Sequence, residues 1–354
     1  MKLETTKTLK LPTGVLGLTG TRDGARLYAA CMDGGVHEIE VASGEITRFD
    51  GGHQSYASGC VLLPDGRTLI SGGYDGQLLW HDVAKRSLIR TVVAHDFWSW
   101  QLAVSADGRR VASSSGQYLV GGEKYEPAPA IGATVKVFDV VTGELTHALV
   151  HGPPVQSVAF SPSGQYLAAG NLMGEVAIWD LPTGRQVAAF KTSDFTCWGI
   201  IKSPHYIGGI YGLTFSPDGE SLLVCGMGPM ADPMAGNGKM TWQRWGWRET
   251  PATLLGQIRD GEHGTGLMEA IQFSPDGKAF VMAGRQAQGT WNAAVFGADE
   301  GRLMASLDTK SRVTRSFFAA DGATLFLGAA VGQGPRKEGK WPEYGRIHVV
   351  AVRA

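Results

Sequence analysis

Seven short turns, each closing on a glycine, recur from one end of the sequence to the other: TRDG ending at Gly24, LPDG at Gly66, SADG at Gly108, SPSG at Gly164, SPDG at Gly219, SPDG at Gly277 and AADG at Gly322. Each is flanked by alternating apolar runs, such as VQSVAF before Gly164 and QYLAAG after it. That pattern is a hairpin of two half-buried strands with Pro, Asp and Gly at the turn. Successive turn glycines lie 42, 42, 56, 55, 58 and 45 residues apart. A unit of four antiparallel strands needs roughly 40–45 residues, so three units carry insertions. The remainder of a unit supplies the other two strands, as in TVKVFDVVTGELTHALV and EVAIWDLPTGRQVAAF. With 50 glycines, 18% charged and 43% hydrophobic residues, composition agrees with a turn-rich, well-buried β protein.

The stretch SPSGQYLAAGNLMGEVAIWD (161–180) resembles a WD-repeat core, and LPDGRTLISGGYDGQLLWHD (63–82) is a second such match. The resemblance runs along essentially the whole chain and is weaker in the last three units, whose third strands lack a Trp-Asp pair. It implies an all-β fold, a seven-bladed β-propeller, whose N-terminal strand completes the last blade and closes the ring. The expected blades span about 12–54, 55–96, 97–152, 153–209, 210–266, 267–311 and 312–354, with 1–11 as the closing strand, all in one domain. An unclosed ring would leave an unpaired edge, which is an aggregation hazard.

WD repeats also imply a hydrogen-bonded set of His, Ser or Thr, Asp and Trp within a blade. The second unit keeps His53, Ser71 and Asp75 but has His81 at the Trp position, and the fourth keeps Trp179 with Ala169 and Met173 at the Ser and Asp positions. These residues are expected to stabilise blades and not to form a catalytic triad.

In this architecture the connections from strand b to c and from d to the next a emerge at one end of each blade, and the a-to-b and c-to-d turns at the other. The second kind are all minimal here. The long segments 116–132, 191–209, 227–239, 285–291 and 331–344 are all of the first kind. Long loops on a rigid repeat scaffold commonly carry function, and theirs are rich in aromatics, Met and Arg, which protein interfaces concentrate. The expected partner-binding residues are Phe97, Trp98, Trp100, Tyr118, Tyr125, Trp198, Tyr206, Met230, Met234, Arg285, Trp291, Arg336, Trp341 and Tyr344.

Local signatures of metal hydrolases, nucleotide enzymes and esterases are absent. The four cysteines (Cys31, Cys60, Cys197, Cys225) have no metal or disulfide spacing and read as core residues. No catalytic residue, metal or cofactor is therefore expected. The competing reading is a propeller hydrolase or lactonase-like enzyme with a metal at the channel mouth, drawing on residues such as His95, Asp96, His205, Asp232, His263 and Glu269. A net charge of −1 disfavours nucleic acid as a partner; Arg336, Lys337 and Lys340 beside Trp341 make a basic cluster better suited to the rim of a protein interface. MKLETTKTLKLP has no apolar leader and no span of membrane length follows. The expectation is a cytoplasmic, non-enzymatic scaffold that binds a protein or peptide, as a subunit of a larger complex.

Overall fold

The computed structural model describes residues 1–117, 129, 132–195, 208–232, 237–258, 264–332 and 342–353. Among these there is no α-helix, and the chain is built from antiparallel strands. Strands β1 (Lys2–Leu11), β2 (Val15–Gly20), β3 (Arg26–Cys31), β4 (Val36–Glu40), β5 (Ile46–Arg48), β6 (Ala57–Leu62), β7 (Thr68–Gly73), β8 (Gln77–Asp82) and β9 (Ser87–Val93) come first. They are followed by β10 (Gln101–Val104), β11 (Arg110–Ser114), β12 (Val135–Asp139), β13 (Leu145–Leu149), β14 (Val155–Phe160), β15 (Tyr166–Asn171), β16 (Glu175–Asp180) and β17 (Arg185–Lys191). Next are β18 (Gly209–Phe215), β19 (Ser221–Asp232), β20 (Asn237–Gly246), β21 (Thr253–Gln257) and β22 (Thr265–Phe273). Last are β23 (Ala279–Gln288), β24 (Ala293–Gly297), β25 (Leu303–Leu307), β26 (Arg312–Phe318), β27 (Thr324–Ala330) and β28 (Gly345–Arg353).

Contact density divides the chain into two compact units, one of residues 1–93, 272–285 and 290–354, the other of 94–271 and 286–289. In the first unit, β2 to β5 and β6 to β9 are sequential four-stranded sheets, and β1 joins β28, β27 and β26 in a third. In the second unit, β10 to β13 and β14 to β17 repeat the plan, and β18, β19, β20 and β21 pair in the same sequential way. The strand expected in LETTKTLKL is β1, and its partner is the last strand, with Leu3 opposite Val352 and Leu11 opposite Gly345.

All seven signature glycines adopt the left-handed backbone, with φ between 65° at Gly322 and 76° at Gly219. An L-residue with a Cβ is penalised there, which explains why the turn always ends in Gly. The residues before it complete the turn. In the third unit the Ser105 hydroxyl donates to Asp107 (2.6 Å), Asp107 accepts from the Arg109 N–H (3.0 Å), and the Arg110 N–H donates to the Ser105 hydroxyl (3.0 Å). Ser216–Asp218 and Ser274–Asp276 repeat this box, and in each of the three the hydroxyl hydrogen bond is the main force holding the carboxyl below its usual range.

Burial follows strand position. Second and third strands such as β15 and β16 are buried along nearly their whole length, with Leu167, Ala168, Ala169 and Ile178 fully enclosed. Fourth strands such as β9 and β17 are mostly exposed. Small residues allow close sheet packing where backbones meet: a Cβ on Gly17 would come within 2.6 Å of the Gly59 Cα. Cys31, Cys60 and Cys225 are buried core residues that form no disulfide with one another, and Cys197 lies outside the described residues.

Two expected loops are largely strand. Of segment 227–239, residues 227–232 continue β19 and 237–239 begin β20, pairing Met227 with Met240 and Met230 with Gly238. Segment 285–291 is mostly the end of β23, which runs to Gln288. A hairpin extending its own ladder satisfies its backbone groups without folding into a separate loop, a solution that length alone does not reveal.

Candidate interaction surfaces

In the first unit, the ends carrying the b-to-c and d-to-a connections gather Met32, Tyr56, Tyr74 and Tyr344. The Tyr56 and Tyr74 rings lie 5.6 Å apart at 43°. The Tyr344 hydroxyl donates to the Met32 sulfur at 3.7 Å, and both side chains cover Gly14, where a Cβ would meet them at 3.3 and 3.1 Å. Tyr56 is 45% exposed, and Tyr74 and Tyr344 are half-buried. Tyr344 was expected at such a surface; Met32, Tyr56 and Tyr74 were not. Met32 and Tyr74 precede Asp-Gly in Met32-Asp33-Gly34 and Tyr74-Asp75-Gly76, the short b-to-c turns. Aligning these turns, instead of searching for long loops, would have revealed them.

Beneath this surface the polar residues are paired. His53 Nδ1 meets Asp75 at 2.9 Å, His53 Nε2 meets the Ser71 hydroxyl at 2.9 Å, and that hydroxyl meets His81 Nε2 at 3.2 Å. Asp75 also accepts the N–H groups of Gln54 and Gln77, tying the d-to-a connection to the b-to-c turn. Burial, and secondarily the His53 charge, push the His81 pKa down to about 4. In the fourth unit the polar anchor is Asn171, not a residue at position 173: its side-chain oxygen accepts from Met173 and Glu175, and its amide donates to Glu175. Asn performs the turn-closing job of Asp two positions earlier in the chain.

Cys31, Asp33 and His37 place a thiol, a carboxylate and an imidazole within 4.8 Å of one another. Burial holds the Cys31 thiol pKa well above its ordinary value. Asp33 accepts from Gly35 N–H at 2.9 Å, pairs with His37 Nε2 at 3.0 Å, and has the Arg48 guanidinium 4.0 Å away. These contacts give the triad the turn-closing role of His53 and Asp75, and the arginine's charge opposes a cation there.

In the second unit, Phe97, Trp98 and Trp100 form one ring cluster. Phe97 stacks on Trp98 (5.0 Å, 16°), and Trp98 meets Trp100 edge to face (5.2 Å, 72°). The Trp100 indole N–H donates to the Gly116 carbonyl at 3.0 Å. All three rings are half-buried. His95 supports them from below through Ser113, itself bonded to Ser99, each at 2.9 Å. Burial, then the Lys136 charge, push the His95 pKa down to about 3. Bonded to Ser113 and kept neutral, His95 serves the blade rather than acting as an exposed base. Met230 is half-buried on its hairpin, and Arg285 is exposed.

Trp291 does not belong to an exposed surface. It is 3% exposed, with Phe296 edge-on at 6.2 Å. A Trp in a polar, glycine-containing segment looks the same in sequence whether it covers a core or projects from it. Tyr118, Tyr125, Trp198, Tyr206, Met234, Arg336 and Trp341 lie outside the described residues, as do His205 and His263.

The family described as "WD domain, G-beta repeat" matches residues 44–82 and 143–180. Each match opens in a c-to-d turn and ends with a third strand, so the sequence repeat is offset by one strand from the sheet. The chain is similar to WD repeat-containing protein SL1-17 of Schistosoma mansoni, at 22% identity over 49% of this chain and 53% of that one. It is also similar to the U3 small nucleolar RNA-associated protein 4 homolog of Mus musculus, at 23% identity over 62% of this chain and 29% of the relative. A guanine nucleotide-binding protein subunit beta of Oryza sativa subsp. japonica is 28% identical over 41% of this chain and 37% of its own. The chain thus matches about half of the first relative's length and less than two-fifths of the other two. No helix among the described residues is long and apolar enough to cross a membrane.

Proposed function

Because this chain belongs to the WD-repeat family, we propose that it is a non-catalytic interaction scaffold that holds a protein or peptide partner at the b-to-c and d-to-a ends of its blades. The observation that carries the reading is the clustering of half-exposed aromatic and Met side chains at those ends. Tyr56, Tyr74, Tyr344 and Met32 gather in one unit, and Phe97, Trp98 and Trp100 in the other. Large rings held rigidly by a paired polar layer lose little conformational entropy on binding, which suits them to anchor a partner. The mouse relative's name associates it with a small nucleolar RNA, which fits a role as one subunit among several. The membership of any such assembly, and the cytoplasm as its location, belong to the same proposal.

The test is a pair of double variants, Tyr56→Ala with Tyr74→Ala and Trp98→Ala with Trp100→Ala, beside the control Ile89→Ser on the exposed outer strand β9, where Ile89 is 61% exposed. Partners captured by the wild-type chain should be retained by the control and bind at least about tenfold more weakly to one or both doubles, since interface aromatics often contribute 2 kcal/mol or more. Folding is checked by circular dichroism. Equal capture by all three folded variants contradicts the proposal.

A further inference from the structure

The opposite end of the first unit, where the turns are short, holds a cleft of about 160 Å³ lined by Arg26, Glu38, Glu40, Glu45, Thr47 and Arg86. Two of its groups depart from the pattern of their own repeat. Glu38 lies on β4 opposite Tyr28, at the register position that holds Trp80 on β8, Val137 on β12 and Ile178 on β16. Those three are core residues; Glu38, at 5% exposure, puts a carboxylate in the same buried place. Arg86 sits at the last position of its c-to-d turn with φ 53°, where the corresponding turns have Gly44, Gly143, Gly184 and Gly301, all with positive φ. A non-glycine residue in that conformation carries strain, and such strain persists only where surrounding structure enforces it.

The two departures meet. Arg86 Nη2 donates to Glu38 Oε1 at 2.8 Å, and Arg26 Nη1 lies 3.5 Å from the same oxygen. Both guanidinium groups therefore address one oxygen. Glu38 Oε2 and Arg86 Nε are buried and have no hydrogen-bond partner among the protein atoms. Three carboxylates face two guanidinium groups, and the additional negative charge is at the rim, where Glu40 and Glu45 are exposed. A buried carboxylate oxygen without a donor, with further carboxylates at the mouth, calls for a compact cation bearing N–H groups.

We propose that this cleft receives the cationic tip of an arginine or lysine side chain from a partner polypeptide. The incoming guanidinium or ammonium sits in the cleft between Glu40 and Glu45 at the rim, with the Glu38 carboxylate beneath it. The site is independent of the aromatic surfaces at the other blade ends, so either can fail without the other.

Heptapeptides with a central Arg, Lys, citrulline or Glu in a Gly/Ala background are titrated into the intact protein and followed by amide chemical shifts. The Arg and Lys peptides should saturate in the millimolar range or tighter, with shifts around Glu38 and Arg86. Citrulline keeps the shape of Arg without its charge and should bind at least about tenfold more weakly, and the Glu peptide should not saturate. Glu38→Gln should weaken the Arg peptide about tenfold. Glu45→Gln, at an exposed position that leaves the fold intact, should weaken it severalfold and keeps the test open if Glu38→Gln does not fold. Equal binding of the Arg and citrulline peptides overturns the proposal. So does saturation by the Glu peptide, an absence of saturable binding by the Arg and Lys peptides, or a Glu45→Gln protein that binds the Arg peptide as the wild type does.

Discussion

Removal of residues 1–11 should lower the stability of the first unit by about 3 kcal/mol or more and make the protein aggregate as it unfolds. Strand β1 contributes Leu3, Leu9 and Leu11 to the interior, at 7%, 4% and 0% exposure. Leu9 and Leu11 pack in a cluster with Val15, Leu27, Ile39, Phe326 and Ile347. Burial of three leucines is worth about 4.5–9 kcal/mol at roughly 1.5–3 kcal/mol each, and the ladder between β1 and β28 is lost with them. The truncation also turns β28 from an inner strand into an edge with an unpaired ladder, a template for association with another chain. The double variant Leu9→Ala with Leu11→Ala keeps the backbone pairing and isolates the packing loss, at about 2–5 kcal/mol for each leucine. Adding a peptide of residues 1–11 in trans should restore part of the lost thermal midpoint by strand addition. An unchanged midpoint in the truncated protein would count against β1 as a structural strand.

Acid should destabilise the fold well before the carboxylates titrate. His81 and His95 have native pKa values pushed down to about 4 and about 3, chiefly by burial. In the unfolded chain a histidine titrates near 6.5. Between those values the unfolded state binds protons that the native state refuses, so unfolding free energy falls as pH falls from about 6.5. Each histidine contributes a slope of about 1.4 kcal/mol per pH unit, or about 2 kcal/mol by pH 5. Burial lowers the His151 and His348 pKa values as well, and they add to the loss. Urea unfolding should therefore show at least about 4 kcal/mol less stability at pH 5 than at pH 7. His81→Phe removes one titrating group next to Phe49, whose ring meets His81 edge-on at 5.5 Å, and leaves Ser71 bonded to His53. That variant should retain about 2 kcal/mol of the acid loss. A slope identical to that of the wild type would show that His81 does not carry the effect. The lowered pKa values of Asp107, Asp218 and Asp276 act in the other window: their stabilising hydrogen bonds persist above the ordinary carboxyl range and are lost at more acid pH.

The parts of the fold that could be read from sequence were those set by local backbone chemistry. Gly24, Gly66 and the five glycines equivalent to them are forced by a positive φ that other residues resist, so the repeat shows even where the Trp-Asp pair is missing. The His53–Ser71–Asp75 set was legible for the same reason, since buried polar groups need partners at fixed positions. Length was the weaker guide. It marked 227–239 as a loop, whereas Met227 and Met230 continue the β19–β20 ladder. It also drew attention away from Met32 and Tyr74, which lie in the shortest connections. Trp291 failed because composition does not tell a covering ring from a projecting one. Glu38 and Arg86 were beyond a local reading altogether: they are 48 residues apart, and each is unusual only when repeats are laid over one another by register.

The placement of partner contacts is tested most directly by hydrogen exchange on the purified complex of the chain with a partner it captures. The account predicts slowed exchange at residues 32–35, 54–57 and 74–77 in the first unit and 96–101 in the second, where Tyr56, Tyr74, Phe97 and Trp98 are found. Protection confined to the a-to-b and c-to-d turns at 21–25, 41–45, 63–67 and 82–86, with the aromatic ends exchanging as in the free protein, would contradict it.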